Sequence, residues 1–181
     1  MFYAGLVLFF TLHVFPFFDG ARSAVVARMG LMPYRGLYAV VALSGLTLIV
    51  MGFDSSGNVH FEPVAAARMA APFVMLLAFT FFASSVLPGK IRVGVRHPLT
   101  IAIALWAGLH VLINPDTHSL FLFGAYFIYA IASAVSSEQR KKPSYTGGAL
   151  KYDGAAVMIG VILAAVVYRF HEHISGMPIV M

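Results

Sequence analysis

Six long apolar stretches, each closed by turn formers or charges, constrain this chain more than any other feature. They run from Tyr3 to Phe18, Tyr34 to Phe53, Ala66 to Leu87, Leu99 to Ile113, Ser119 to Ser136 and Gly154 to Phe170. A membrane-crossing helix needs about 20 mostly apolar residues, and the breaks between these stretches (DGARS, DSSGN, LPGK, NPD and EQRKKPSYTGG) are rich in residues that stop helices. The fourth stretch is the shortest, and its start is expected within the preceding loop. Composition supports lipid as the solvent: 60% of the 181 residues are hydrophobic and 10% are charged, against about 25% charged in a water-facing domain. A soluble enzyme, a coiled coil and a disordered tail are therefore excluded. The formal charge of +5 would suggest a nucleic-acid partner if the basic residues shared one face, but they are spread over several loops, and none is expected. The chain reads as one all-α domain over residues 1–181, a polytopic bundle of about six transmembrane helices with membrane lipid as its partner.

Between the first two stretches, Ala21 to Met32 mixes Arg22 and Arg28 with Val, Met and Leu, the pattern of a helix lying in the membrane interface. Cytoplasmic loops retain Lys and Arg. The first loop holds Arg22, Arg28 and Arg35, the third Lys90, Arg92 and Arg96, and the fifth Arg140, Lys141, Lys142 and Lys151; Arg68 and Arg169 are left on the other side. Both termini are thus expected to face outward, on the periplasmic side of a bacterial inner membrane. The opening MFYAGLVLFF lacks the basic region of a removed signal peptide.

Cysteine is absent, which excludes disulfides, iron–sulfur clusters, CxxCH haem attachment and a thiolate ligand. A metal or haem would have to use His, carboxylate, Tyr or Met, and the chain carries seven His. Two of them, His13 and His110, fall inside the apolar stretches, where a polar group needs a partner, water or a ligand. Either alone is as readily a helix-to-helix hydrogen bond. Two on separate helices match the need of haem b for one axial imidazole on each face.

His13 lies in LFFTLHVFPFF, where helical spacing sets Phe9, Phe10 and Phe17 beside it and Pro16 frees a backbone carbonyl. His110 lies in LWAGLH, with Trp106 one turn before it and Asn114 one turn after it, the latter placed to orient the imidazole through its other nitrogen. Aromatic stripes are more often plain core packing. Counted from the basic ends of their spans, the two histidines differ in depth by about 8 Å at the helical rise, a mismatch that helix tilt can absorb. His97, thirteen residues before His110, sits about 20 Å from it along a helix, so these two cannot share a porphyrin; followed by Pro98, His97 reads as a helix-start residue. His60, His118, His171 and His173 fall in outward loops or span ends, and HEH is not the HExxH of a zinc protease. Arg68 and Arg169 on the outward side are candidates to pair with haem propionates, against the blander reading that they snorkel to headgroups.

Several strings taken in order carry a family resemblance. They are H-V-F-P; R-S-A-V-V-A-R-M-G-L-M-P-Y-R-G-L-Y with A-L-S-G-L-T-L-I; L-P-G-K-I and R-H-P-L; L-W-A-G-L-H-V-L-I-N-P-D; S-L-F-L-F-G; and H-E-H-I-S-G-M-P. The chain resembles NnrU-like membrane proteins, a family that includes plant zeta-carotene isomerase. The resemblance implies a membrane bundle of about six helices, associated with denitrification in bacteria and with carotenoid isomerisation in plants. It makes His13 and His110 the positions that hold haem b in the isomerase branch, and His97 and His171 further family histidines. Pro115 departs from the Gly expected in an N-G-D turn, and the lack of Cys removes thiol control of the iron.

Two functions follow as expectations. In one, a haem b enzyme isomerises or oxidises a lipid-soluble polyene such as a cis-carotene, with His13 and His110 as ligands and Phe9, Phe17 and Trp106 shaping the pocket. In the other, the chain is a membrane accessory factor for nitrite and nitric oxide reductases, without catalysis of its own and dependent on protein partners. A transporter is disfavoured by the lack of visible inverted repeats.

Overall fold

The computed structural model describes residues 1–140 and 145–176. Lys141 and Lys142, counted above with the fifth loop, lie outside the described residues. The elements are α1 (Phe2–Val14), a 3-10 turn (Phe15–Phe17), α2 (Asp19–Met29), α3 (Leu31–Gly52), α4 (Ala65–Ser84), α5 (Lys90–Gly94), α6 (Pro98–Ile113), α7 (Thr117–Gln139) and α8 (Leu150–Ser175). Among the described residues there is no strand, and a single bridge pairs Val59 with Asp116. The all-α reading stands.

Among the described residues four helices, α3, α4, α7 and α8, are long and apolar enough to cross a membrane alone, and a fifth span results if α1 and α2 are taken as one broken helix. The break has a local cause. Pro16 lacks the N–H that would continue α1, the chain tightens into the 3-10 turn, and α2 leaves at 96° to the segment before it. That turn is what the interfacial reading of Ala21 to Met32 requires, although the helix begins earlier, at Asp19. α6 is 16 residues long and does not start inside the preceding loop. A residue before proline is kept out of helical conformation, so His97 is non-helical (φ −129°, ψ 58°) and the helix starts at Pro98; the loop before it forms the separate short α5.

In space the helices stand in the order α3, α1, α7, α6, α4, α8, each packing chiefly on its neighbours in that row. Lipid tails are as apolar as the side chains they meet, so helices in a membrane associate through close packing at small residues rather than by escape from water. Gly5 of α1 faces α3 so closely that an added Cβ would stand 2.7 Å from the Ile49 nitrogen and 2.8 Å from the Gly45 oxygen. Gly160 of α8 meets Thr80 of α4 in the same way, at 2.5 Å from its hydroxyl. Phe2, Leu6 and Ile49 form the buried cluster beside the first crossing. Large apolar residues such as Phe73, Val50 and Ile128 are exposed on the outside of the row, as lipid-facing positions are.

The two ends of the row are tied differently. At the basic end, the Asp153 carboxylate accepts from the Lys90 and Ile91 N–H groups at 3.0 and 2.9 Å. At the opposite end the ties are mostly backbone: Val64 N–H to the Leu112 oxygen and His60 N–H to the Pro115 oxygen, both 3.0 Å. Asp54 there accepts from the Ser56 hydroxyl at 2.6 Å and its N–H at 2.8 Å, and these donors hold its carboxyl below the ordinary aspartate value.

Two predictions follow. Because the chain has no native cysteine, single cysteines report topology directly: Ser55→Cys should react with a membrane-impermeant maleimide in intact cells and Gly94→Cys only after permeabilisation, and the reverse pattern would invert the orientation. Gly5→Val should destabilise the α1–α3 crossing by about 1–3 kcal/mol, the usual cost of overpacking, visible as a lowered Tm in detergent, whereas the same change at Gly36, which has open space around it, should leave Tm within a degree or two.

Candidate histidine site

His13 stands one residue before the end of α1. Its Nδ1 lies 2.7 Å from the carbonyl oxygen of Phe9, one turn back. A carbonyl can only accept, so Nδ1 carries a proton and donates, which leaves Nε2 as the nitrogen that its own helix does not serve. The ring stacks on Phe9, with centroids 4.0 Å apart, and meets the edges of Tyr38 and Tyr129 at 5.7 and 5.8 Å. Of the three phenylalanines expected beside it, only Phe9 is there. Phe10 packs on Tyr126 and Tyr129. Phe17 stacks on Tyr129 at 5.9 Å, because the 3-10 turn takes it out of helical phase with His13. Pro16's own carbonyl, in the 3-10 turn, accepts from Arg140 Nη1 at 2.6 Å, and the same guanidinium pairs with Asp19 at 3.1 Å.

His110, near the end of α6, repeats the arrangement. Its Nδ1 donates to the Trp106 oxygen at 2.8 Å, again leaving Nε2 as the nitrogen that the helix does not serve. Asn114 is not the orienting group: it caps α6, its N–H bonded to the His110 oxygen at 2.9 Å, and the carbonyl one turn back already takes the imidazole proton. Around the ring lie Trp106 at 5.4 Å, Phe123 at 4.5 Å and His171 of α8 at 6.5 Å, the last with ring planes 25° apart.

The two intramembrane histidines are not brought into ring contact. Tyr126 of α7 lies against Phe9 and Phe10 on one side and Trp106 on the other, at 5.8, 5.0 and 5.3 Å, so aromatic side chains separate the neighbourhoods of His13 and His110. An imidazole nitrogen binds a metal at about 2 Å, which sets two rings on opposite sides of one ion about 6 Å apart between centroids. His110 meets that spacing with His171 and not with His13. The donor set at His110, a ring whose Nδ1 is committed to a carbonyl, with Nε2 left to bind and with aromatic walls, fits one axial position of a haem. Nothing in the sequence pattern joins positions 110 and 171, which meet only through the order of the helices.

His97, His60 and His118 serve as ties. His97 Nε2 lies 2.6 Å from Glu138, whose other oxygen is 2.8 Å from Arg96, so His97 fastens the start of α6 to the end of α7, as a helix-start residue would. His60 bonds Thr117 at 2.9 Å and His118 the Asp54 oxygen at 2.6 Å. Among the described residues no group of three or more His or carboxylate side chains is arranged to hold a metal ion. Arg68 is half-buried in the first turn of α4, and Arg169 is exposed with its guanidinium 5.6 Å from the Phe170 ring. Sequence reasoning missed an apolar groove of about 500 Å³ between α4 and α6, lined by Ala67, Ala70, Val74, Gly108, Leu112 and Phe127. Small residues at helical spacing on both helices were the available signal. Gly108 and His110 are two apart on a helix and point to opposite faces, so the groove and the imidazole lie on different sides of α6.

A family model described as NnrU protein matches residues 1–179 of the chain. No curated protein and no solved structure matches it.

Proposed function

The chain belongs to the NnrU family, and from that premise we propose that it is an integral membrane haem b protein anchored on His110, acting as an isomerase or redox enzyme on a lipid-soluble polyene such as a cis-carotene. The observation that carries the reading is the bond from His110 Nδ1 to the Trp106 oxygen at 2.8 Å. Ligating histidines characteristically give their other N–H to a carbonyl or carboxylate, which fixes the tautomer and raises the basicity of the free nitrogen. Trp106 and Phe123 pack around the ring, at 5.4 and 4.5 Å between centroids, which gives an apolar wall to a molecule dissolved in the bilayer. Arg68 and Arg169 are the cations available to haem propionates on the side away from the basic loops. Bound haem iron supplies a redox-variable Lewis acid whose reactivity is set by its axial ligands.

Haemochrome and absorption spectra of protein purified in mild detergent test this reading. Wild type and His60→Ala should carry haem b, and His110→Ala should lose most of it. Reduced, haem-loaded protein should convert a cis-carotene, and conversion in neither redox state would remove the isomerase part. No haem in any of the three proteins would overturn the reading and leave the accessory role in denitrification that the family resemblance implies.

A further inference from the structure

We propose that the pocket at the α2–α3 elbow binds the phosphodiester headgroup of an anionic membrane lipid. The site lies at the basic end of the bundle and does not depend on haem. It is a pocket of about 230 Å³ lined by Pro16 of the 3-10 turn, Arg22 of α2, and Tyr34, Arg35 and Tyr38 of α3. Two turns of the backbone build it. Pro16 breaks α1 so that α2 leaves at 96° to the segment before it, and Gly30, at a φ of 88° that favours glycine, turns the chain again into α3. α2 is thereby set beside the start of α3, with the Arg22 guanidinium 5.9 Å from the centre of the Tyr34 ring.

Positive charge at this elbow is unopposed. Between Asp19 and Asp54 the sequence has no acidic residue and carries Arg22, Arg28 and Arg35. Asp19 itself is engaged by Arg140 at 3.1 Å, and among the described residues no ion pair engages Arg22 or Arg35. The contact of Arg22 with Tyr34 stands at the edge of the roughly 6 Å range of a cation–π interaction, so it leaves the guanidinium donors unspent.

Tyr34 adds a neutral donor. It is 9% exposed, and its hydroxyl is buried with no hydrogen-bond partner. A buried donor left unmet is costly, and a phosphate oxygen seated beside Tyr34 would accept from it. The two guanidiniums suit the same group, because their bonds to phosphate are charge-assisted and can be bidentate.

The surroundings favour a lipid over a free ion. Leu37 and Val40, about one and two turns along α3 from Tyr34, are 53% and 61% exposed and form an apolar track leading away from the pocket. Its volume of about 230 Å³ is below the ~300–1,000 Å³ of pockets that enclose a whole small ligand. A headgroup therefore enters while its acyl chains lie outside, along that track. Basic pockets between helices at a membrane surface hold anionic headgroups in this way.

Native mass spectrometry of the full-length protein in detergent tests the site. The probes are dioleoylphosphatidylglycerol, dioleoylphosphatidylcholine and inorganic phosphate. Wild type should prefer phosphatidylglycerol to phosphatidylcholine by roughly tenfold or more, and Arg22→Gln and Arg35→Gln should each weaken phosphatidylglycerol binding about fivefold. Arg28→Gln removes the same charge from α2 outside the pocket and should leave binding nearly unchanged. Tyr34→Phe should weaken binding about threefold or more without lowering Tm, since it removes only an oxygen that has no partner; this variant keeps the proposal testable if an arginine variant does not fold. Equal binding of the two lipids by wild type would overturn the proposal. So would a loss in Arg28→Gln as large as in Arg22→Gln, the mark of general surface charge, or unchanged affinity in Tyr34→Phe. Displacement of phosphatidylglycerol by millimolar phosphate would mark a soluble ligand and overturn the lipid assignment.

Discussion

A polar atom in hydrocarbon must find a partner close at hand, and in this chain the partner is usually the helix's own backbone. Thr80 bonds the Leu76 oxygen at 2.8 Å and Ser44 the Val40 oxygen at 2.9 Å, while His13 and His110 turn back to the carbonyls of Phe9 and Trp106. Such a bond uses a hydroxyl's single donor. In an imidazole it uses one ring nitrogen and leaves the second, for which the helix has no partner. The solution that makes these histidines tolerable in lipid therefore leaves each with a nitrogen that its own helix cannot serve. Burying an unmet polar group costs several kcal/mol, and that cost is the thermodynamic room in which a ligand gains affinity.

The order of the helices decides which nitrogens can meet. α4 follows α3 in sequence but stands between α6 and α8 in space, so the chain crosses the row before returning. The placement depends on small residues: Gly5 against Gly45 and Ile49, and Gly160 against Thr80, let backbones approach where any side chain would hold them apart. With α4 interposed, the ends of α6 and α8 converge around its N-terminal turn without zipping together. His110 and His171 are a product of that geometry, and α7, which packs between α1 and α6 and carries Tyr126, is what keeps His13 apart.

Much of this was legible in the sequence, and the limits are physical. Apolar runs broken by Asp, Gly and Pro are a one-dimensional signal, so the helices and the interfacial turn of α2 appeared where expected to within a few residues. The capping role of His97 was legible from Pro98 alone. Local errors came from treating the end of α1 as ideal helix, which put Phe17 on His13 when Pro16 had already broken the phase, and from giving Asn114 a task that the Trp106 carbonyl performs. Helix rotation is a different matter. Which rings His110 meets depends on how three helices turn about their axes, and no spacing along one chain encodes that.

The two ends of the molecule divide the chemistry. At the basic end, Glu138, Asp19 and Asp153 each take a cation or backbone donors, fastening the ends of α6, α7 and α8 to their neighbours where positive charge sets the orientation. These ties lie in or near water, where an ion pair contributes under about 1 kcal/mol, so they position loops more than they stabilise the bundle. At the other end the connections run through backbone bonds and imidazoles, His60 and His118 holding loops while the His110 and His171 rings lie 6.5 Å apart. A ligand taken up at that end would draw its binding energy from groups that neither insertion nor orientation needs, so its binding would not alter how the chain sits in the membrane.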